Sequence, residues 1–301
     1  MRINSKLLAV SAALMLGHSA PALAAVNVFA CEPEYAALAK ELAPDASIYS
    51  ATTALQDPHQ VQARPSLIAK MRQADLALCA GAELEVGWLP MLQMKSANAA
   101  VRDGADGMFY AAEHIDTLDK LDKVDRTMGD VHAQGNPHLH FSPTRVLTLA
   151  SAITARLKQI DPAQAQGYDQ RLADFERRWQ AAIPRWEAEA AALKGTKVIA
   201  YHTSFRYLFD WLGMEQVADL EPKPGLPPSS GHLASLLERA RQGDVKAIVV
   251  ASYQDTRGAE WLSEKSGLPV LVLPMSVGGD DASVDLFGLY DSVIARLKKV
   301  N

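Results

Sequence analysis

Two kinds of apolar run alternate along the chain. Short, nearly continuous apolar stretches at residues 26–30, 47–52, 75–79, 108–112, 197–200, 247–251 and 269–273 read as buried strands of parallel sheets. Between them, apolar residues spaced by threes and fours predict helices over 34–42, from Pro65, around Trp88 and Leu89, from Pro143 through Leu157, and over 205–212, 232–242, 257–266 and 284–297. Ser66 and the pair Ser142-Pro143 carry start signals for two of these. Strand–helix alternation of this kind implies βαβ units. Residues 116–130 are charged and read as a solvated loop, and 217–230, rich in proline, as an extended segment.

One helix differs from the rest. Across 161–193 the apolar residues Tyr168, Leu172, Phe175, Trp179, Ile183, Trp186 and Ala190 form a single stripe, and Pro184 is expected to bend the helix without ending it because the stripe resumes at Trp186. Such a helix would be about 48 Å long. It stands near the midpoint, with alternation before and after it. The expected fold is therefore α/β, two (β/α) lobes with parallel sheets joined by one long rigid helix. The expected division is a signal peptide over 1–24, an N-terminal lobe over 25–160, the connecting helix over 161–194 and a C-terminal lobe over 195–301.

The first 24 residues carry basic Arg2 and Lys6, an apolar core over 7–16 and the cleavage pattern Ala22-Leu23-Ala24, which together read as a cleavable secretory leader and place the protein in the periplasm. That core is too short for a membrane anchor. Removal leaves 277 of 301 residues and, with two basic residues lost, takes the formal net charge from −5 to −7. An acidic chain of this kind argues against nucleic acid and anionic membranes as partners. Cys31 and Cys79 are the only cysteines. In an exported protein they most simply form one disulfide, worth about 4 kcal/mol on a chain-entropy estimate, with two buried thiols as the alternative. Cys31 stands well past the apolar core and the cleavage site, which disfavours it as a lipid-carrying cysteine.

Eight histidines are present, one of them, His18, in the leader. His59, His138 and His202 share a setting, each in a loop just before a helix, and His59 and His138 each follow a proline that stiffens the backbone. In open α/β sheets, ligands bind at the carboxyl ends of the strands, so two facing lobes would bring these loops together. Three neutral imidazoles suit Zn²⁺ better than Mn²⁺, with a carboxylate or water in the fourth position. His132 could reach the site from its loop. His140, two residues from His138 with its ring on the opposite side, reads as a wall residue, and His114 and His232 as structural or exposed.

At these residues the chain resembles the zinc- and manganese-capturing solute-binding proteins of bacterial ABC transporters, the ZnuA- and TroA-like family. The resemblance rests on Asp57-Pro58-His59 with Pro65-Ser66, the turn from Gly81 to Glu85 ahead of Trp88, Asn136-Pro137-His138 ahead of Pro143, Tyr201-His202 with Phe205 and Tyr207, and Pro224-Gly225 to Ser229-Ser230. It implies two lobes joined by one long helix, metal capture between them by His59, His138 and His202, and delivery by a monomer to a membrane permease. The chain departs from the family in three places. Pro274-Met275-Ser276 replaces the usual acidic context after the last strand, leaving Asp280, Asp281 or water for the fourth ligand. The 116–135 segment holds one histidine, His132, in place of a histidine-rich loop. Asn136 and His140 stand where aspartate and tryptophan are usual. Two other functions are weighed against capture for transport. A zinc hydrolase or lyase would need a general base near the metal, and no H-E-x-x-H pair occurs. A carrier of an organic ligand or chelated metal would need a wide aromatic cleft, to which Trp88, Tyr201, Tyr207 and Tyr253 could contribute.

Overall fold

The computed structural model describes residues 25–124, 128–129 and 131–300; the expected leader lies outside the described residues. The first half builds a four-stranded parallel sheet from β1 (Asn27–Ala30), β2 (Ser47–Ser50), β3 (Leu76–Cys79) and β4 (Met108–Tyr110), in the order β2-β1-β3-β4. The second half repeats that order with β5 (Lys197–Ala200), β6 (Glu215–Asp219), β7 (Val245–Ala251) and β8 (Val270–Leu273), as β6-β5-β7-β8, again all parallel. Seven of the eight described strands lie where the apolar runs place them, to within two residues. The exception is β6, which falls partly in the segment expected to be merely extended. It is an edge strand of mostly half-buried residues, with polar Glu215, Gln216 and Asp219, so it lacks the apolar run that marks a buried strand.

The helices are α1 (Pro33–Leu42), α2 (Pro65–Gln73), α3 (Leu89–Ser96), α4 (Pro143–Ile160), α5 (Ala165–Ala190), α6 (Arg206–Leu212), α7 (Ser230–Ala240), α8 (Arg257–Ser266) and α9 (Leu286–Leu297). Proline at the first turn opens α1, α2 and α4, where its missing N–H costs nothing. Helix α6 begins one residue later than its apolar spacing predicts, directly after a 3₁₀ turn over Thr203–Phe205.

The midpoint helix runs through Pro184 without a break, with 3₁₀ turns over Pro162–Gln164 and Ala191–Leu193 at its ends. Its 26 α-helical residues make it about 39 Å long. The stripe is buried as the spacing requires: Phe175, Trp179 and Trp186 are fully covered. Trp179 and Trp186 pack on Tyr290 of α9, with ring centroids 5.1 and 4.6 Å away. The Trp179 indole donates to the Pro143 carbonyl at the start of α4, 2.9 Å away. One apolar cluster runs from Val28 and Leu78 through α1, α4, α5 and α9 to Val249 and Leu273, so the inner faces of both sheets share a continuous core. Smaller clusters around Trp88 and Leu92 and around Ile248 and Leu262 cover the outer faces.

Cys31 and Cys79 form a disulfide with Cα atoms 4.8 Å apart, joining the ends of adjacent strands β1 and β3. No helix among the described residues is long and apolar enough to cross a membrane.

Candidate metal centre

The loops at the carboxyl ends of the two sheets face each other, and His59, His138 and His202 meet between them. Their ring centroids form a nearly equilateral triangle, with sides of 5.7, 5.6 and 5.7 Å and planes inclined by 74°, 90° and 83°. One ring nitrogen from each lies within 4.8 Å of the others. Nε2 of His138 and Nε2 of His202 are buried without a hydrogen-bond partner, which for a ring nitrogen is costly unless something else occupies its lone pair.

Each ring is fixed from behind. The Asp57 carboxylate accepts from the His59 backbone N–H at 3.0 Å and from Nδ1 at 2.8 Å. Burial alone would raise the Asp57 carboxyl, but the hydrogen bond from the His59 ring holds it below the ordinary carboxylate range. An ionised carboxylate can only accept, so Nδ1 of His59 carries the proton and Nε2 offers a lone pair to the site. The buried Trp88 indole donates to the Pro58 carbonyl at 2.9 Å and holds this loop down. His202, two residues beyond β5, has its Nδ1 2.9 Å from Glu221 Oε2, which selects the same tautomer. His138 is placed by Asn136, whose side-chain oxygen accepts from the His138 N–H and whose amide nitrogen donates to the Thr203 carbonyl, both at 2.9 Å. The Tyr207 hydroxyl donates to the Asn136 carbonyl and accepts from the Leu118 N–H. Asn136 and Tyr207 therefore tie the His138 loop to the half that carries His202.

Burial, and then repulsion from His59 and His202, holds His138 well below its ordinary histidine value, and burial takes His132 down to about 3. Both rings are neutral at physiological pH, as nitrogen ligands must be. Zn–N bonds of about 2.0–2.1 Å put tetrahedral nitrogens about 3.3–3.4 Å apart. Three nitrogens already within 4.8 Å of one another would draw together by at most about 1.5 Å to match. The residues present fit a Zn²⁺-sized ion.

Asp280 and Asp281 are not brought to this cluster. The Asp280 carboxylate accepts from Ser283 at 2.7 Å, Ser292 at 2.5 Å and Arg296 at 2.7 Å and so pins the turn ahead of α9, while Asp281 is exposed. His140 is a wall residue as its ring direction implied: Nε2 donates to the Met275 carbonyl at 2.8 Å, and Nδ1 lies 3.0 Å from Glu34. His232 donates to the Asp219 carbonyl, and His114 stacks on Phe109. Trp88 and Tyr207 are buried loop anchors, not cleft walls. Tyr201 and Tyr253 do line the cleft beside His59 and His202, together with Asp57 and Glu221. Its volume is about 230 Å³, below the range of about 300–1,000 Å³ usual for organic ligands. Sequence reasoning missed Glu221 as a partner of His202. It lies two residues beyond β6, the strand whose pattern was hidden, and recognising that strand would have placed it at a carboxyl edge.

Two like-ordered parallel sheets on a shared helical spine, with a histidine cluster where their loops meet, define a two-lobed α/β protein with a candidate metal centre between its halves. The chain belongs to the family described as zinc-uptake complex component A, periplasmic (ZnuA), which it matches over residues 28–300. It is similar to the high-affinity zinc uptake system protein ZnuA of Bacillus subtilis (strain 168), 25% identical over 222 residues, covering 72% of this chain and 67% of that protein. It is also similar to the manganese ABC transporter substrate-binding lipoprotein PsaA of Streptococcus anginosus, 22% identical over 248 residues, covering 81% of this chain and 78% of that protein. The fold matches a crystal structure of ZnuA with a TM-score of 0.75 at 20% identity, covering 90% of this chain and 99% of that one.

Proposed function

We propose that this protein is the solute-binding component of a zinc importer, taking Zn²⁺ between its halves through His59, His138 and His202 and passing it to an ABC-type permease. The observation that carries this reading is the triangle of imidazoles whose inward nitrogens at His138 and His202 are buried and unpartnered. Nitrogen donors favour Zn²⁺ over Mn²⁺, which prefers oxygen; relatives named for zinc and for manganese both occur, so the donor set is what supports zinc in this reading. Transport, not catalysis, suits the site, because the Asp57 and Glu221 carboxylates both bind imidazole Nδ1 atoms and neither is placed as a free general base. An anionic organic cargo is disfavoured by the acid lining of the cleft at Asp57 and Glu221.

The same reading makes 1–24 a leader removed on export to the periplasm, 25–160 and 195–301 the two lobes, 161–194 their connecting helix, and the working unit a monomer. Calorimetric titration of the metal-free protein tests the function. Tight one-to-one Zn²⁺ binding, weak Mn²⁺ binding and loss of zinc in His59→Ala, His138→Ala and His202→Ala are expected. Wild-type zinc affinity in those variants would exclude the site.

A further inference from the structure

A fourth imidazole stands at the rim of the cluster. Nε2 of His132 lies 3.3 Å from Nε2 of His59, with the two ring centroids 5.3 Å apart. His59 donates through Nδ1 to Asp57, so its Nε2 presents a lone pair toward His132. Two ring nitrogens at that distance share either a proton or a cation. The separation is also the edge of a tetrahedron of nitrogens around Zn²⁺, about 3.3–3.4 Å for bonds of about 2.0–2.1 Å. His132 is thus already at ligand spacing from His59, although it is not within 4.8 Å of both other rings.

The backbone that carries His132 is held in place at several points. The Glu83 carboxylate accepts from the Ala133 N–H at 2.8 Å. The Ala133 carbonyl accepts from the Leu121 N–H at 3.1 Å, and the Thr117 hydroxyl donates to the Gln134 carbonyl at 2.5 Å. Gly135, with φ of 103°, lets the chain return: a Cβ there would lie 2.5 Å from Thr117 Oγ1 and 2.7 Å from the Leu118 carbonyl. Glu83 itself sits in a turn where Ala82 and Glu83 both have left-handed backbone, at φ 46° and 66°. Side chains other than glycine, asparagine or aspartate enter that region at a cost, and such strain persists where surrounding structure imposes it. Here the turn aims the Glu83 carboxylate at the histidine-bearing segment.

We infer that His132 is the fourth ligand of the bound metal, closing a four-nitrogen site with His59, His138 and His202, and that Glu83 is the positioning residue that seats it. This rests on the three-histidine reading above. In this chain nitrogen takes the place of the carboxylate or water otherwise expected as fourth ligand, and Asp280 is left to its structural turn. An all-nitrogen set also sharpens discrimination, because it withholds the oxygen that Mn²⁺ prefers.

X-ray absorption at the zinc edge counts imidazoles directly and is paired with competitive zinc titration of the purified protein. Four imidazoles are expected in the wild type. His132→Ala should leave three with an oxygen, keep one-to-one stoichiometry and weaken zinc about a hundredfold, somewhat less than loss of His202 because water takes the open position. Glu83→Ala should shift the spectrum in the same direction, whereas Glu83→Gln, which keeps an acceptor for Ala133, should restore it. His132→Asp should narrow the ratio of zinc to manganese affinity. A wild-type spectrum with three imidazoles, or unchanged affinity and spectrum in His132→Ala, would overturn the inference. If His59→Ala still loses zinc in that case, only the fourth ligand is rejected. If His59→Ala, His138→Ala and His202→Ala all keep it, the underlying site is rejected instead.

Discussion

The two sheets have the same strand order, yet use the same structural position for different ends. Strand β1 ends at Ala30 and β5 at Ala200; two residues on stand Glu32 and His202. Both side chains are buried, at 2% and 7% exposure, so neither is an accident of the surface. In the second half that position supplies an imidazole of the proposed metal site. In the first half it belongs to a structural knot, where Cys31 is bonded to Cys79 and Glu32 lies against Glu85. The first half instead presents its histidines on the longer loops after β2 and β4, at His59, His132 and His138. A repeated scaffold therefore fixes where a ligand can be offered and leaves open which strand end offers it.

The comparison can be broken most forcefully at the knot. Replacing both Cys31 and Cys79 by alanine should cost about 4 kcal/mol of unfolding free energy, measured by denaturant titration, because a link across 48 positions no longer restricts the unfolded chain. Zinc stoichiometry should survive. The reverse pattern is expected at the equivalent site of the other half: His202→Ala should weaken zinc on the order of several hundredfold, one ligand's share of a binding free energy of about 10–16 kcal/mol, with little loss of metal-free stability. If Glu32→Gln weakened zinc as much as His202→Ala, the two positions would not differ in role.

A smaller effect is expected from the carboxylates behind the rings. Asp57→Asn and Glu221→Gln should each lower zinc affinity about tenfold to a hundredfold, read by competition with a chelating dye, since each sets the tautomer of its histidine. Equal losses would show that the halves hold their rings equally well.

The smallest effect concerns pH. Glu85 is pushed up to about 7 by burial, despite accepting from the Ala80 and Gly81 N–H groups, and burial with the nearby Glu85 carboxylate drives Glu32 well up too. Between the ordinary value of 4.5 and about 7 the folded protein holds a proton at Glu85 that the unfolded chain has released. By linkage this contribution to stability falls as pH rises through that window. Neutral, buried His138 contributes the opposite slope below pH 6.5, where unfolded histidine charges. Melting metal-free wild type and Glu85→Gln side by side over that range isolates the first term. Only the wild type should lose the Glu85 contribution toward pH 7; identical profiles would place the knot's proton elsewhere.

Much of this was legible in the chain. The α5 stripe, the apolar strand runs and the shared setting of His59, His138 and His202 are local patterns, and burial followed them. Strand β6 was hidden because an edge strand need not be apolar, and Glu221 was hidden with it. Asn136 was visible only as a departure from a motif. Its two hydrogen bonds, one to its own loop and one across to Thr203, depend on an approach of distant segments that no local spacing encodes. The same holds for Glu32 with Glu85 and for His132 with His59, pairs separated by more than fifty positions.

The bonds that cross between the halves carry one more consequence. Asn136 to Thr203, Ser252 to Ala54 and His140 to Met275 join the two sides around the cluster, over a core they already share. A jaw welded in this way is not expected to free a bound ion by swinging open. The ion is instead expected to leave as it would leave a coordination complex, by stepwise substitution, with each imidazole exchanged in turn for a donor of the receiving protein. The rate of hand-over would then follow the chemistry of the incoming donor atoms and not the mechanics of the carrier.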